Sequence, residues 1–384
     1  MQQSSNVQKT LFEPYTLGDL VLPNRFVMAS LTRVRCDPKT GIANDMLVEY
    51  YSQRAAAGLI LTECAAVANA GNSFIGSAAI YNREQMEGWR KVVDAVHKKG
   101  GRIYIQIWHA GRAAHPTQTG EQNISSSAAR IRGNLRTNLP HVEPRAMTPE
   151  DFETVRQQFR QGALYAKEAG FDGIELHGAN GYLMDQFLRD GVNQRTDEYG
   201  GSIENRCRFP LEIIDILIEV FGAKRVGMKL TPVGRFQDMY DSDPFALYSY
   251  FLQQLDKKGI SYVQLMEPAE EYASGVLYEP GAKQIAEVAK TFRPYFKGTI
   301  MTNNNLTPET ATKNLNEGIA DLACFGRYFI SNPDFVERVQ NGWPLNSWDN
   351  NTFYTGGYKG FLDYPIYDPK TPERTGDRAE ESSK

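Results

Sequence analysis

The sequence predicts a (β/α)8 TIM barrel, built as a single domain with a long loop after its third strand. Three observations predict it. Short apolar runs alternate with amphipathic stretches eight times along the chain. Proline start signals open three of those stretches and glycine stop signals follow six. No Gly-rich turn follows the first run, where a doubly wound nucleotide-binding sheet would carry one; Ala29-Ser30-Leu31-Thr32-Arg33 stands there instead.

Taken in order, the strands are expected at 26–28, 59–62, 103–108, 173–176, 226–230, 262–266, 299–301 and 322–325. Most are short and apolar, as strands covered on both faces should be. Helices are expected between them, at 45–57, 84–99, 149–169, 204–221, 243–258, 281–292, 308–317 and 333–341. Thr148-Pro149-Glu150-Asp151 reads as an N-cap, a proline in the first turn and acids facing the helix dipole. Thr307-Pro308-Glu309 and Asn332-Pro333-Asp334 repeat the device. Gly58, Gly100, Gly170, Gly222, Gly259 and Gly318 read as helix stops. The polar, proline-interrupted stretch 112–143 is expected to be an active-site loop or lid. The barrel is expected to occupy 11–368, between flexible polar tails at 1–10 and 369–384.

Composition narrows the function. A hydrophobic content of 41% with 23% charged residues fits a globular chain with a large core. A net charge of −4 supplies no field to draw nucleic acid or an anionic membrane. No apolar run approaches the roughly 20 residues of a membrane-spanning helix, and MQQSSNVQKT at the start has no signal-peptide core. Cys36, Cys64, Cys207 and Cys324 form no CxxC pair, which suits a reducing compartment. A cytoplasmic protein, monomer or homodimer, acting on a small molecule is the expectation.

In a barrel, chemistry gathers at the C-terminal ends of the strands. Those ends present Thr32, Glu63 with Cys64, Gln106 with Trp108, His177 with Asn180, Lys229, Glu267, Asn303 with Asn304 and Asn305, and Gly326 with Arg327. The set is rich in donors and poor in carboxylates. It offers no Asp/Glu/His metal cage and no Ser or Cys with an evident His and Asp partner. Such a floor suits a planar polar cofactor with many acceptor atoms. A phosphate is expected beside strands seven and eight, at Asn303-Asn304-Asn305 and Gly326-Arg327; the plain alternative pairs Arg327 with a carboxylate. After strand four, His177-Gly178-Ala179-Asn180-Gly181-Tyr182 brings an imidazole, an amide and a phenol into one turn. That equipment stabilises negative charge and delivers a proton, although a turn whose His caps local backbone would read the same way.

Five blocks carry a family resemblance. They are Asn24-Arg25 with Leu31-Thr32-Arg33; Gln106 to Arg112; the stretch from Glu175 to Arg206, ELHGANGYLMDQFLRDGVNQRTDEYGGSIENR; Gly326 to Asp334; and Pro344 to Asn346 with Thr352-Phe353-Tyr354. Together they resemble the Old Yellow Enzyme family of flavin-dependent ene-reductases, with similarity running from about Leu11 to Tyr367. The resemblance implies a barrel holding non-covalent FMN, reduced by NADPH or NADH, that reduces activated C=C bonds of enones, nitro compounds or quinones. It implies that His177 and Asn180 bind the substrate carbonyl oxygen and that Tyr182 protonates the α-carbon. Trp108 and Tyr354 match residues lining the substrate space. Ser30, Leu31, Thr32, Cys64, Gln106, Lys229, Asn303, Asn304, Asn305, Gly326 and Arg327 match cofactor-binding positions.

Three positions depart from the family pattern. Lys229 stands where arginine is usual, keeping the charge but losing the planar fork; weaker FMN retention or a shifted potential would follow. Asn303-Asn304-Asn305 replaces a Gly/Ala-rich segment, and Asn tolerates left-handed backbone better than most residues. Cys64 stands where the family has Gly or Ala, as a small filler or, less simply, a redox group. His97 is expected to be solvated, His109, His115 and His141 to sit in or near the strand-three loop, and the run 195–206 to be structural. Two other functions fit the composition: a Schiff-base aldolase using Lys229, and a barrel that only binds.

Overall fold

The computed structural model describes residues 10–135, 139–268 and 285–370. The expected helix start at 281–284 and most of the two expected tails lie outside them. Eight parallel strands close a barrel: β1 (Phe26–Met28), β2 (Leu59–Ala66), β3 (Ile103–Trp108), β4 (Gly173–Gly178), β5 (Val226–Leu230), β6 (Tyr262–Met266), β7 (Thr299–Asn303) and β8 (Leu322–Phe325). Each pairs with the next in sequence, and β8 pairs back with β1. All eight strands stand where the apolar runs place them. The closed order removes the doubly wound alternative. Strands β2, β4 and β7 run two to four residues past their expected ends, to Ala66, Gly178 and Asn303, because the residues that follow still pair in the ladder.

The helices follow: α1 (Asp45–Gln53), α2 (Arg83–Lys98), α3 (Pro149–Glu168), α4 (Ile203–Phe221), α5 (Pro244–Lys258), α6 (Val288–Phe292), α7 (Pro308–Asn316) and α8 (Phe335–Asn341). Their starts are chemically marked. Thr148 and Thr307 each form a capping box with the residue three positions on, as does Asn82. Asn332-Pro333-Asp334 does not open a helix directly. α8 begins at Phe335, and the Asp334 carboxylate instead accepts from Arg338 Nε and Tyr367 N, each at 2.7 Å.

Gly58 corrects a second expectation. α1 ends at Gln53, and Gly58 adopts no left-handed cap; a Cβ there would collide with the Asn24 carbonyl. Its role is close approach between β2 and the chain entering β1.

A hairpin unforeseen in the sequence, Tyr15–Leu17 with Leu20–Leu22, closes the N-terminal end of the barrel. Leu17 and Leu22 are fully buried against Val27, Leu59, Tyr104, Tyr262 and Leu322, each worth about 1.5–3 kcal/mol of burial. The excursion after β3 is anchored rather than free. Ile124–Ser125 pairs with Arg145–Ala146, and Arg112 Nη1 donates to Ala129 O at 2.9 Å. Among the described residues no helix is long and apolar enough to cross a membrane.

Candidate active site

The site is built in register across β2 to β6. Cys64 is level with Gln106, Gln106 with Glu175, Glu175 with Gly227 and Gly227 with Tyr262. One layer higher, His177 is level with Lys229 and Lys229 with Gln264. Level neighbours on a barrel point to the same side, so these side chains share the interior at the strand ends. Ser30 Oγ joins the layers, accepting from Gln106 Nε2 at 2.9 Å and Lys229 Nζ at 3.2 Å. Both residues are buried, as are Ser30 and His177.

Thr32 Oγ1 and Cys64 Sγ lie 3.1 Å apart. Burial pushes the Cys64 thiol up to about 12. A protonated thiol is a poor nucleophile, so the geometry favours the filler role over the redox one.

The turn after β4 is shaped by left-handed backbone at Asn180 (φ 56°) and Gly181 (φ 75°). A buried brace holds it. Asn180 N donates to Thr231 Oγ1 at 2.9 Å, and Gly181 N to Asp185 Oδ2 at 2.9 Å. Asp185 pairs with Arg189 at 2.8 Å, and Arg189 also donates to the carbonyls of Thr231 and Gly234. The Tyr182 ring sits edge-on to Trp108 (centroids 4.5 Å apart) and to His177 (4.9 Å).

His177 is held neutral. Burial, reinforced by the nearby Lys229 charge, drives its imidazole well below the ordinary value. Its Nδ1 accepts from Ala179 N at 3.3 Å, which leaves Nε2 carrying the proton. The result is a neutral donor beside a phenol.

Around β7 and β8 the means differ. Asn304 and Asn305 both have positive φ, 87° and 51°, so asparagine fills the left-handed positions that its chemistry tolerates. Asn304 Nδ2 donates to Glu267 O at 2.8 Å. Gly326 is the N-cap of the turn Arg327–Ser331, and a Cβ on it would meet only Leu31, at 3.4 Å. The Arg327 guanidinium lies 5.7 Å over the Trp348 ring.

Two expected carboxylates satisfy backbone amides. The Glu267 carboxylate accepts from Val288 N and Ala289 N at the start of α6. Glu63 accepts from Arg33 N at 3.4 Å. Tyr354 is 45% exposed, on a segment strapped down by Arg33 and Arg35 through the carbonyls of Thr352, Phe353, Gly357, Lys359 and Gly360. His97 is not simply solvated, since it bonds Asp172 at 3.0 Å. His115 is buried and its ring caps the turn Pro116–Thr119. The run 195–206 is indeed a brace: Arg195 pairs with Asp197, and Arg206 with Asp241, both at 2.5 Å. Among the described residues no cluster of His, Cys, Asp or Glu could hold a metal ion.

The family model for the NADH:flavin oxidoreductase / NADH oxidase family matches residues 10–346. The chain belongs to the Old Yellow Enzyme family. It is 40% identical over 361 residues to 12-oxophytodienoate reductase 1 of Oryza sativa subsp. japonica, covering 93% of each chain. It is 40% identical over 379 residues to a probable flavin mononucleotide-dependent alkene reductase of Leishmania infantum, covering 95% of this chain and 100% of that one. It superposes on morphinone reductase in complex with tetrahydroNAD with a TM-score of 0.85 at 39% identity, covering 94% of this chain and 98% of that one. As an Old Yellow Enzyme, the protein is an FMN-dependent oxidoreductase that takes reducing equivalents from a nicotinamide nucleotide and reduces activated alkenes. The aldolase and binding-only readings fall with that membership.

Sequence reasoning missed Glu175, Tyr262, Thr231 and the Asp185–Arg189 pair. The signal for Glu175 was present: a lone carboxylate inside an otherwise apolar strand run.

Proposed function

We propose that His177 and Asn180 hold the carbonyl or nitro oxygen of an α,β-unsaturated substrate and that Tyr182 protonates its α-carbon. The observation carrying this reading is the neutral His177, with its proton on Nε2, packed against the Tyr182 ring. A neutral N–H strengthens its bond as negative charge grows on the oxygen and gives up no proton to it. Such a donor contributes about 3–4 kcal/mol in other oxyanion sites. Asn180 stands in the same braced turn, and Tyr182 serves as the general acid. Trp108 and Tyr354 line the substrate space.

The residues at the strand ends fit FMN. Ser30, Thr32 and Lys229 offer donors to a pyrimidine edge, and Gln106 offers its amide oxygen. Leu31 and Cys64 border the ring, and the left-handed Asn304 and Asn305, with Asn303, Gly326 and Arg327, suit a phosphate. When bound, FMN supplies the two-electron chemistry that links nicotinamide oxidation to alkene reduction. Lys229, in place of an arginine, offers the pyrimidine edge a charge and N–H donors without the planar bidentate fork, and Lys229→Arg is expected to tighten FMN. NADPH is the proposed reductant; its kcat/KM should exceed that of NADH. The four free buried cysteines support a cytoplasmic enzyme. The proposed partners are small enones, nitro compounds and quinones, with neither nucleic acid nor membrane, and the proposed state is a monomer or homodimer.

The test is rapid mixing of each half-reaction separately. Tyr182→Phe should slow alkene reduction about 10²- to 10⁴-fold and His177→Ala about 10²- to 10³-fold, with FMN still bound. Full alkene reduction in both variants would remove these roles.

A further inference from the structure

We propose that Glu175 is a positioning residue that tunes the redox potential of the site, by fixing Gln106 as a hydrogen-bond acceptor and offsetting the charge of Lys229. This rests on the reading that Gln106 and Lys229 face the FMN pyrimidine edge. β4 is buried along its whole length, and Glu175 is 0% exposed. A carboxylate in a barrel interior costs several kcal/mol unless its partners compensate. Its partners lead straight to the cofactor residues. Gln106 Nε2 donates to Oε1 at 2.7 Å, and Tyr262 OH donates to Oε2 at 2.9 Å. The arrangement is built for that second bond: Tyr262 lies across Gly227, where a Cβ would collide with the ring.

The consequence for Gln106 follows from counting hydrogens. Nε2 has two, one spent on Glu175 and one on Ser30. Only the amide oxygen is left to face a ligand, so Gln106 is presented as an acceptor. Without the carboxylate, the amide is free to turn over and present a donor.

Glu175 is also poised to change charge. Burial holds its carboxyl up at about 7, against the opposing pull of Lys229 and the bonds from Tyr262 and Gln106. The groups facing it are Lys229 from β5, Tyr262 from β6 with Tyr104 of β3 behind it, Cys324 from β8, and His177 further along β4. Burial raises both Tyr262 and Cys324 and keeps His177 neutral, so Glu175 is the member of this cluster that titrates near neutrality. As pH rises through that value the site gains a negative charge. That charge opposes the one that reduction places on the pyrimidine edge, so the potential falls more steeply there.

The experiment measures the two-electron potential of FMN-loaded wild type, Glu175→Gln and Tyr262→Phe from pH 6 to 8.5, with FMN dissociation constants alongside. Glu175→Gln should raise the potential at pH 8 by a tenfold shift in equilibrium, about 30 mV, and lose the break near neutrality. Tyr262→Phe removes a bond to the ionised carboxylate, so its break should move to higher pH. An unchanged potential and break in FMN-loaded Glu175→Gln would overturn the proposal. If Glu175→Gln does not fold or load FMN, an unmoved break in Tyr262→Phe would overturn it. Gln106→Leu and Lys229→Met separate the two readings: if neither alters FMN affinity or potential, the cofactor placement fails.

Discussion

The proposed catalytic turn and the proposed phosphate corner solve the same backbone problem differently. Both need two successive left-handed residues, Asn180 and Gly181 in one, Asn304 and Asn305 in the other. The catalytic turn is locked by a buried ion pair, Asp185 (0% exposed) with Arg189 (1%), and by Thr231 and Tyr248. The corner is half-exposed and is held by a side-chain bond from Asn304 to Glu267 O, by a side-chain bond between Asn303 and Cys324, and by the capping box of Thr307. The difference reflects what each presents. Side chains that must meet reacting atoms need a rigid scaffold. Backbone amides offered to a phosphate need only the right φ, and the ligand completes the fit.

The largest effect is expected at the buried ion pair. Asp185→Ala leaves the Arg189 guanidinium buried without its carboxylate, which typically costs about 3–5 kcal/mol. A large fall in unfolding free energy by denaturant titration is the expected outcome; a change under about 1 kcal/mol would show that the brace is incidental. At the corner the effect should be smaller and of another kind. Asn305→Val forces a β-branched residue into left-handed backbone at a cost of roughly 1–2 kcal/mol. FMN should bind about tenfold more weakly, with Asn305→Gly near wild type. Equal affinities for all three proteins would mean that this backbone does not contact the phosphate. The smallest effect is expected at Cys64, whose thiol stays protonated across the physiological range. Peroxide should leave turnover of wild type and Cys64→Ala equally intact, and inactivation of wild type alone would restore the redox role.

The barrel was legible because its strands are apolar runs that alternate with amphipathic stretches, several of which carry explicit caps. The hairpin closing the barrel's floor was not, since three-residue strands show no periodicity. Gly58 misled because a glycine needed for close approach looks identical in sequence to a helix stop. Strand-end position foresaw that Gln106, His177 and Lys229 share the barrel interior. Glu267 and Glu63 stood at equally promising positions and turned out to satisfy backbone amides. The partners of Glu175 lay hidden because they come from β3 and β6, 69 and 87 residues away. The long-range brace of Thr231 on Asn180 was hidden for the same reason.

The central claim is an FMN centre joined to an oxyanion site. It is tested most directly by the visible spectrum of the purified protein, anaerobically, before and after NADPH and then cyclohexenone. Flavin bands that bleach with NADPH and return with the enone are the predicted result. A protein that stays colourless and inert after FMN is added would contradict the account.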